Sequence, residues 1–236
     1  GEKVDRRKVA FVTGASRGIG RACAISLAKA GYDVAVSART MVDGTAYLDD
    51  GETPVPGGLD TTVESINAAG REGLPIKMDL LDRQSVLQAA DTALNHFGRI
   101  DVLLNNAIYQ GTGSMLTIEA LEDKYLKQLF EGNVFAQIAL IRHLLPSFIS
   151  QGGATIVNMI SATAFTDPPG KIGSGGWGAG YAMSKSAFER IAPFLMIEHG
   201  EQGIVTYNID PGHVITERQI AKKKETTKKW MNHFIP

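Results

Sequence analysis

Thr13-Gly14-Ala15-Ser16-Arg17-Gly18-Ile19-Gly20 follows without a break on the apolar run Lys8–Thr13, and a stretch of helical period, Gly18–Ala30, begins inside it. A strand that turns sharply into a helix through glycines at these offsets has a specific physics. Gly14 permits the tight turn, Gly18 lets the backbone approach a pyrophosphate, and Gly20 lets helix and strand pack closely. The helix amino terminus, with its unpaired N–H groups, then faces the phosphates. A plain glycine-rich turn is the alternative, and the strand before and helix after it argue against that.

Outward from this stretch the pattern repeats. Strand-like runs at Lys8–Thr13, Asp33–Ala38, Leu74–Met78, Asp101–Asn105, Ala154–Ile160 and Ile204–Ile209 alternate with helix-like stretches at Gly18–Ala30, Thr61–Ala69, Arg83–Phe97, Glu119–Ile149 and Tyr181–His199. This alternation predicts an α/β fold, a doubly wound (Rossmann) parallel sheet of six or seven strands with helices on both faces, in a single domain over residues 1–236. VAFVTG, DVLLNN and ATIVNMI are apolar at successive positions, as strands buried on both faces must be. Two segments break the rhythm. Residues 41–60 are expected to form an excursion between the second strand and its helix. Residues 167–180, rich in Gly and Pro, form either a mobile edge of the substrate pocket, held down by Trp177, or an exposed linker.

Composition narrows the functional classes. The 236 residues carry 24 Lys and Arg against 25 Asp and Glu, and 44% are hydrophobic, so a sizeable core is available and neither nucleic acid nor a membrane surface is suggested. The last twenty residues, 217–236, stand apart as a basic segment with Arg218 and five lysines against two glutamates. The single cysteine, Cys23, rules out an internal disulfide and a zinc cluster, and the histidines show no ligand spacing, so no metal is expected. With neither a signal peptide nor an apolar span in view, the expectation is a soluble, cytoplasmic protein.

Tyr181 and Lys185 open a helix one turn apart and so share a face. A phenol titrates near 10, and an adjacent ammonium would pull it down into the range of a general acid/base. Ser161 closes the fifth strand, at the edge where open α/β sheets bind ligands, with Thr163 as a reserve hydroxyl. The second strand ends VAVSART, with Ala38 where an NAD-preferring enzyme usually has a carboxylate; Arg39 follows and Arg17 lies in the glycine loop, so two guanidinium groups could flank a 2′-phosphate.

The glycine loop G-x-x-x-G-x-G, Asn105-Asn106-Ala107 after the fourth strand, Ser161, Tyr181-Ala-Met-Ser-Lys185 and Pro211-Gly212 after the sixth occur in the order of the short-chain dehydrogenase/reductase family, and the chain resembles that family up to about Thr216. The resemblance implies hydride transfer between a nicotinamide and a carbonyl or secondary alcohol, with Tyr181 as general acid/base, Ser161 on the substrate oxygen, Lys185 on the phenol and the ribose, and Asn133 holding a water beside the lysine. It implies that Gly14, Ser16, Arg17, Gly18, Ile19, Gly20, Arg39, Asp79, Leu80, Asn106, Ala107, Tyr181, Lys185, Pro211, Gly212, Val214 and Thr216 hold the cofactor. NADP (as NADPH) is the expected cofactor, with NAD possible; the expected partners are a small carbonyl or alcohol substrate and further copies of the chain, in a homodimer or homotetramer. An inactive dinucleotide-binding regulator and a nucleotide-sugar epimerase or dehydratase are the rival readings. Three features depart from the family: Ile108 where it has glycine, a longer interval between Ser161 and Tyr181, and lysine-rich text after Thr216 in place of a seventh strand.

Overall fold

The structure is a computed structural model describing residues 7–234, with side chains described as far as Glu225. Six strands, β1 (Lys8–Thr13), β2 (Tyr32–Ala38), β3 (Gly73–Lys77), β4 (Val102–Asn105), β5 (Ala154–Met159) and β6 (Ile204–Ile209), form one sheet. All neighbours are parallel, in the order 3-2-1-4-5-6. Alternate residues of β1 serve opposite faces. Ala10 and Val12 pack with Ala24 and Ala28 of α1 (Gly18–Lys29) and with Leu59 and Ile66 of α2 (Leu59–Ala68). Val9 and Phe11 pack with Val86 and Ala90 of α3 (Arg83–Phe97) and with Leu140, Leu144 and Phe148 of α5 (Ala136–Ser150). This is why the central runs lack polar alternation: both faces are buried, and a polar residue on either would sit in a core. The strand order reverses between β1 and β4, which opens a crevice at their carboxyl ends.

Local chemistry sets the element ends. Asp82 caps α3, accepting from the N–H groups of Gln84 (3.0 Å) and Ser85 (3.3 Å), and Gly98 closes it at φ 73°. The expected helix over Glu119–Ile149 is instead α4 (Asp123–Phe130), a π-helical turn (Glu131–Phe135) and α5. The expected helix Tyr181–His199 is likewise two, α6 (Ala179–Glu189) and α7 (Ile191–His199). Pro193 has no N–H for the Glu189 carbonyl, so a continuous helix would leave that carbonyl unpaired; Asn208 Nδ2 from β6 supplies the missing donor at 2.9 Å.

The excursion after β2 is built rather than slack. An isolated antiparallel bridge joins Tyr47 and Pro54, and backbone bonds Leu48 N–H to Thr53 O and Val55 N–H to Ala46 O, both 2.9 Å, make a hairpin-like turn. Leu48 and Val55 are buried with Ala221 of α8 (Glu217–Phe234), the helix formed by the basic carboxyl-terminal segment. No helix among the described residues is long and apolar enough to cross a membrane.

Candidate active site

The glycine loop is closed by contacts that leave no room for side chains. A Cβ on Gly14 (φ 68°) would lie 2.7 Å from the Cα of Ala107, and one on Gly20 would run into the Gly14 carbonyl oxygen. Thr13 and Asn106 fasten the loop to the end of β4. Thr13 Oγ1 accepts from the N–H groups of Asn106 (3.1 Å) and Ala107 (3.0 Å), and Asn106 Nδ2 donates to the carbonyls of Thr13 and Gly14 (both 3.1 Å). Asn106 thus braces the glycine loop, and Ala107 packs directly against Gly14. Ser16 is buried, and Ile19 packs into the core beneath.

The first residue of α1 shows what the loop accepts. Arg17, at the N-cap, provides no side-chain cap, and the Gly18 N–H instead donates 2.9 Å to the Glu217 carboxylate. An anion therefore fits at the head of this helix, as a dinucleotide phosphate requires. Thr216 sits against the same residue, its Cγ2 3.2 Å from where a Gly18 Cβ would be. Pro211 and Gly212 make the turn after β6, where the Gly212 N–H donates to Asp210 Oδ1 (3.0 Å), and Val214 is exposed beyond it.

At the carboxyl end of β5, Ser161 caps a short 3₁₀ turn (Ala162–Ala164) and its Oγ accepts from Thr163 Oγ1 at 3.0 Å, so the two hydroxyls act as a pair. Ser186 Oγ donates 2.6 Å to Ala164 O and locks that turn onto α6, which carries Tyr181 and Lys185. The Tyr181 phenol interacts with the Ser161 and Gln110 side chains. Burial pushes it above the ordinary value, against those two interactions, which favour the ionised form. The Lys185 ammonium is buried, donates 2.8 Å to Met159 O and lies 4.8 Å from the Phe188 ring; burial brings it down to about 8. The expected lowering of the phenol by the ammonium is therefore corrected: desolvation dominates at both groups, and the phenol keeps its proton at neutral pH.

Asn133 stands in the π turn with its amide fully engaged. Oδ1 accepts from the Tyr109 N–H (2.6 Å), and Nδ2 donates to Tyr109 O and Ser184 Oγ (both 3.1 Å). It ties the segment after β4 to α6 and presents Tyr109 and Gln110 to the site; Lys185 is not among its partners. The Ile108 and Tyr109 side chains are half-buried.

Arg39 is exposed just past β2, close enough to Arg17 for the two cations to repel. Arg17 itself donates Nε to Pro56 O and Nη2 to Gly57 O, both 2.8 Å, so its guanidinium is turned onto the excursion. Asp79 Oδ1 accepts from the Leu81 N–H (2.9 Å) and holds the turn after β3; Leu80 packs against the core. The loop 167–180 has a bridge between Ile172 and Gly176 and a half-buried Trp177. Its carboxyl end is packed, since a Cβ on Gly178 would meet Ser114 O and one on Gly180 would lie 2.7 Å from Leu129.

Sequence reasoning missed Gln110 and Glu217. Gln110 lies three residues beyond Ala107, the end of the segment read for the cofactor, and nothing local marks it. Glu217 reaches Gly18 across 199 positions of chain, and only the tertiary fold brings them together.

A doubly wound sheet with a glycine-lined, anion-accepting turn at its switch point and a Ser–Tyr–Lys cluster at the end of β5 defines a dinucleotide-dependent class of protein. The chain belongs to the short chain dehydrogenase family, whose model matches residues 8–227. It is 32% identical over 213 residues to the short chain dehydrogenase mpl6 of Monascus purpureus, covering 89% of this chain and 66% of that protein. The chain thus spans just under two thirds of that relative's length. It is 32% identical over 211 residues to the chloroplastic NADPH-dependent aldehyde reductase 1 of Arabidopsis thaliana, covering 89% of this chain and 67% of that one. A metagenomic short-chain oxidoreductase solved in complex with NADP superposes with a TM-score of 0.71 at 27% identity, over 92% of this chain and 89% of the other.

Proposed function

We propose that the chain is an oxidoreductase that uses a nicotinamide cofactor, NADPH in preference to NADH, on a carbonyl or secondary alcohol substrate. The observation that carries the reading is the placement of the Tyr181 phenol beside Ser161 at the carboxyl end of β5, on a helix that Ser186 locks to the Ser161 turn. The bound cofactor would supply or accept the hydride. In the reductive direction Tyr181 gives its proton to the substrate oxygen and Ser161, aligned by Thr163, donates a hydrogen bond to the same oxygen. Lys185, buried and anchored on Met159 O, stands one helical turn from Tyr181 on the same helix. Gln110 offers an amide beside the reacting phenol. Gly14, Gly18, Gly20, Ala107 and Thr216 would hold the dinucleotide, with Asn106 bracing the loop.

NADPH preference is supported by Ala38 in place of a carboxylate and by the exposed Arg39. With Arg17 turned onto the excursion, the contact to a 2′-phosphate falls chiefly to Arg39. The Arabidopsis relative, an NADPH-dependent aldehyde reductase, and the metagenomic structure in complex with NADP agree with this choice. A homodimer or homotetramer is proposed as well, supported by large apolar side chains left in solvent: Phe135, Phe194 and Ile197.

The test is NADPH oxidation against a panel of ketones, aldehydes, quinones and β-ketoacyl thioesters. Turnover is expected with at least one class, and Tyr181→Phe should abolish it while leaving cofactor affinity nearly intact, because only the proton donor is deleted. Near-normal activity of that variant on a confirmed substrate would overturn the assignment.

A further inference from the structure

The excursion after β2 and the basic carboxyl-terminal segment meet each other beside the glycine loop. Leu48 and Val55 from the excursion close a small cluster with Ala221 of α8, each of the three 4% exposed or less. Arg218 Nη2 lies 3.7 Å from Asp49 Oδ1. On the other side the excursion is pinned to the loop itself, where Arg17 donates to the carbonyls of Pro56 and Gly57 and the Gly57 N–H donates 2.7 Å to Asp43 Oδ1. The result is a latch of three pieces, loop, excursion and α8, that holds the first residue of α8 over the amino terminus of α1.

That residue is Glu217, and its carboxylate takes the Gly18 N–H at 2.9 Å. Because Arg17 supplies no side-chain cap, the head of α1 relies on this distant carboxylate for the anion that its N–H groups and dipole favour. We infer that Glu217 is an internal competitor for the phosphate seat of the cofactor, and that the latch of excursion and α8 sets cofactor affinity by holding it there. The inference rests on reading the glycine loop as the seat of a nicotinamide dinucleotide. A carboxylate and a pyrophosphate cannot share one N–H group at close range, since like charges repel strongly where water is partly excluded. Cofactor binding must therefore swing Glu217 away, and the free energy of its contact is subtracted from the affinity. The effect falls on the pyrophosphate, which NADPH and NADH have in common, so it lowers affinity for both alike.

Glu217→Gln removes the charge and Glu217→Ala removes the contact, and neither replaces a core residue. Titration by nucleotide fluorescence should show both variants binding NADPH and NADH roughly three- to tenfold more tightly than the wild type, the range a carboxylate at a partly buried helix terminus can supply. Inorganic pyrophosphate, which carries no nicotinamide, should raise the melting temperature of both variants more than that of the wild type. Unchanged or weaker affinity for both cofactors, or a gain confined to NADPH, overturns the inference, as does an unchanged response to pyrophosphate. Binding of neither cofactor by any of the three proteins overturns the cofactor reading itself, and the inference with it.

Discussion

At the scale of single residues, burial sets the direction at both Tyr181, against its side-chain interactions, and Lys185. Lys185 titrates at about 8 in the folded protein and near 10.5 in an unfolded chain. Between those values the unfolded state binds more protons, so stability rises with pH across this window and is lower by about 3 kcal/mol below it. Urea unfolding of the cofactor-free protein should show a higher midpoint at pH 9.5 than at pH 7, and Lys185→Met should flatten the difference. A midpoint that falls over the same interval in the wild type would contradict the burial argument. Arg39 tests a different balance. A charge-assisted contact to a phosphate is worth about 1.5–3 kcal/mol, so Arg39→Ala should weaken NADPH roughly tenfold or more and leave NADH nearly untouched by fluorescence titration. Equal affinities in the wild type, or a preference for NADH, would remove Arg39 from the site.

Among the elements, the π turn Glu131–Phe135 does the most for the site, because its extra residue per turn aims Asn133 at the backbone of Tyr109. Gly132 makes that approach possible: a Cβ there would collide with the Tyr109 Cβ. Helix propensity alone would make Gly132→Ala stabilising by about 1 kcal/mol. The collision should reverse the sign, costing about 1–3 kcal/mol and lowering turnover through a displaced Gln110. Chemical denaturation with assay of turnover decides between the two, since a more stable variant with normal turnover would show that propensity wins.

Taken whole, the molecule offers solvent more apolar surface than its charge balance requires. A groove of about 670 Å³ beside the π turn is lined by Leu81, Leu126, Phe130 and Phe135 together with Lys127, Gln128 and Glu131, and Phe194 and Ile197 of α7 are 56% and 84% exposed. Covering such surface with further copies would bury it at about 25 cal/mol per Å² of apolar area, offset by the entropy of association. Light scattering at micromolar concentration should give a dimer or tetramer mass; a strictly monomeric mass would mean that these side chains are tolerated in water.

The sequence by itself determined the sheet, its parallel sense and the positions of Ser161, Tyr181, Lys185 and the glycines, because each depends on short-range physics: apolar runs buried on two faces, glycine where the backbone turns or packs closely, and a one-turn spacing on a helix. The expected single helix Tyr181–His199 passed over Pro193, and the Asn208 side chain that takes the freed Glu189 carbonyl comes from a distant strand. The tertiary structure alone decided which groups meet. Asn133 engages the backbone of Tyr109, Arg17 bonds the excursion, Gln110 comes beside the phenol, and Glu217 sits on Gly18. Each of these outcomes depends on how distant segments pack, on desolvation that only burial creates, and on an insertion and a basic helix whose own residues show no period pointing toward the site.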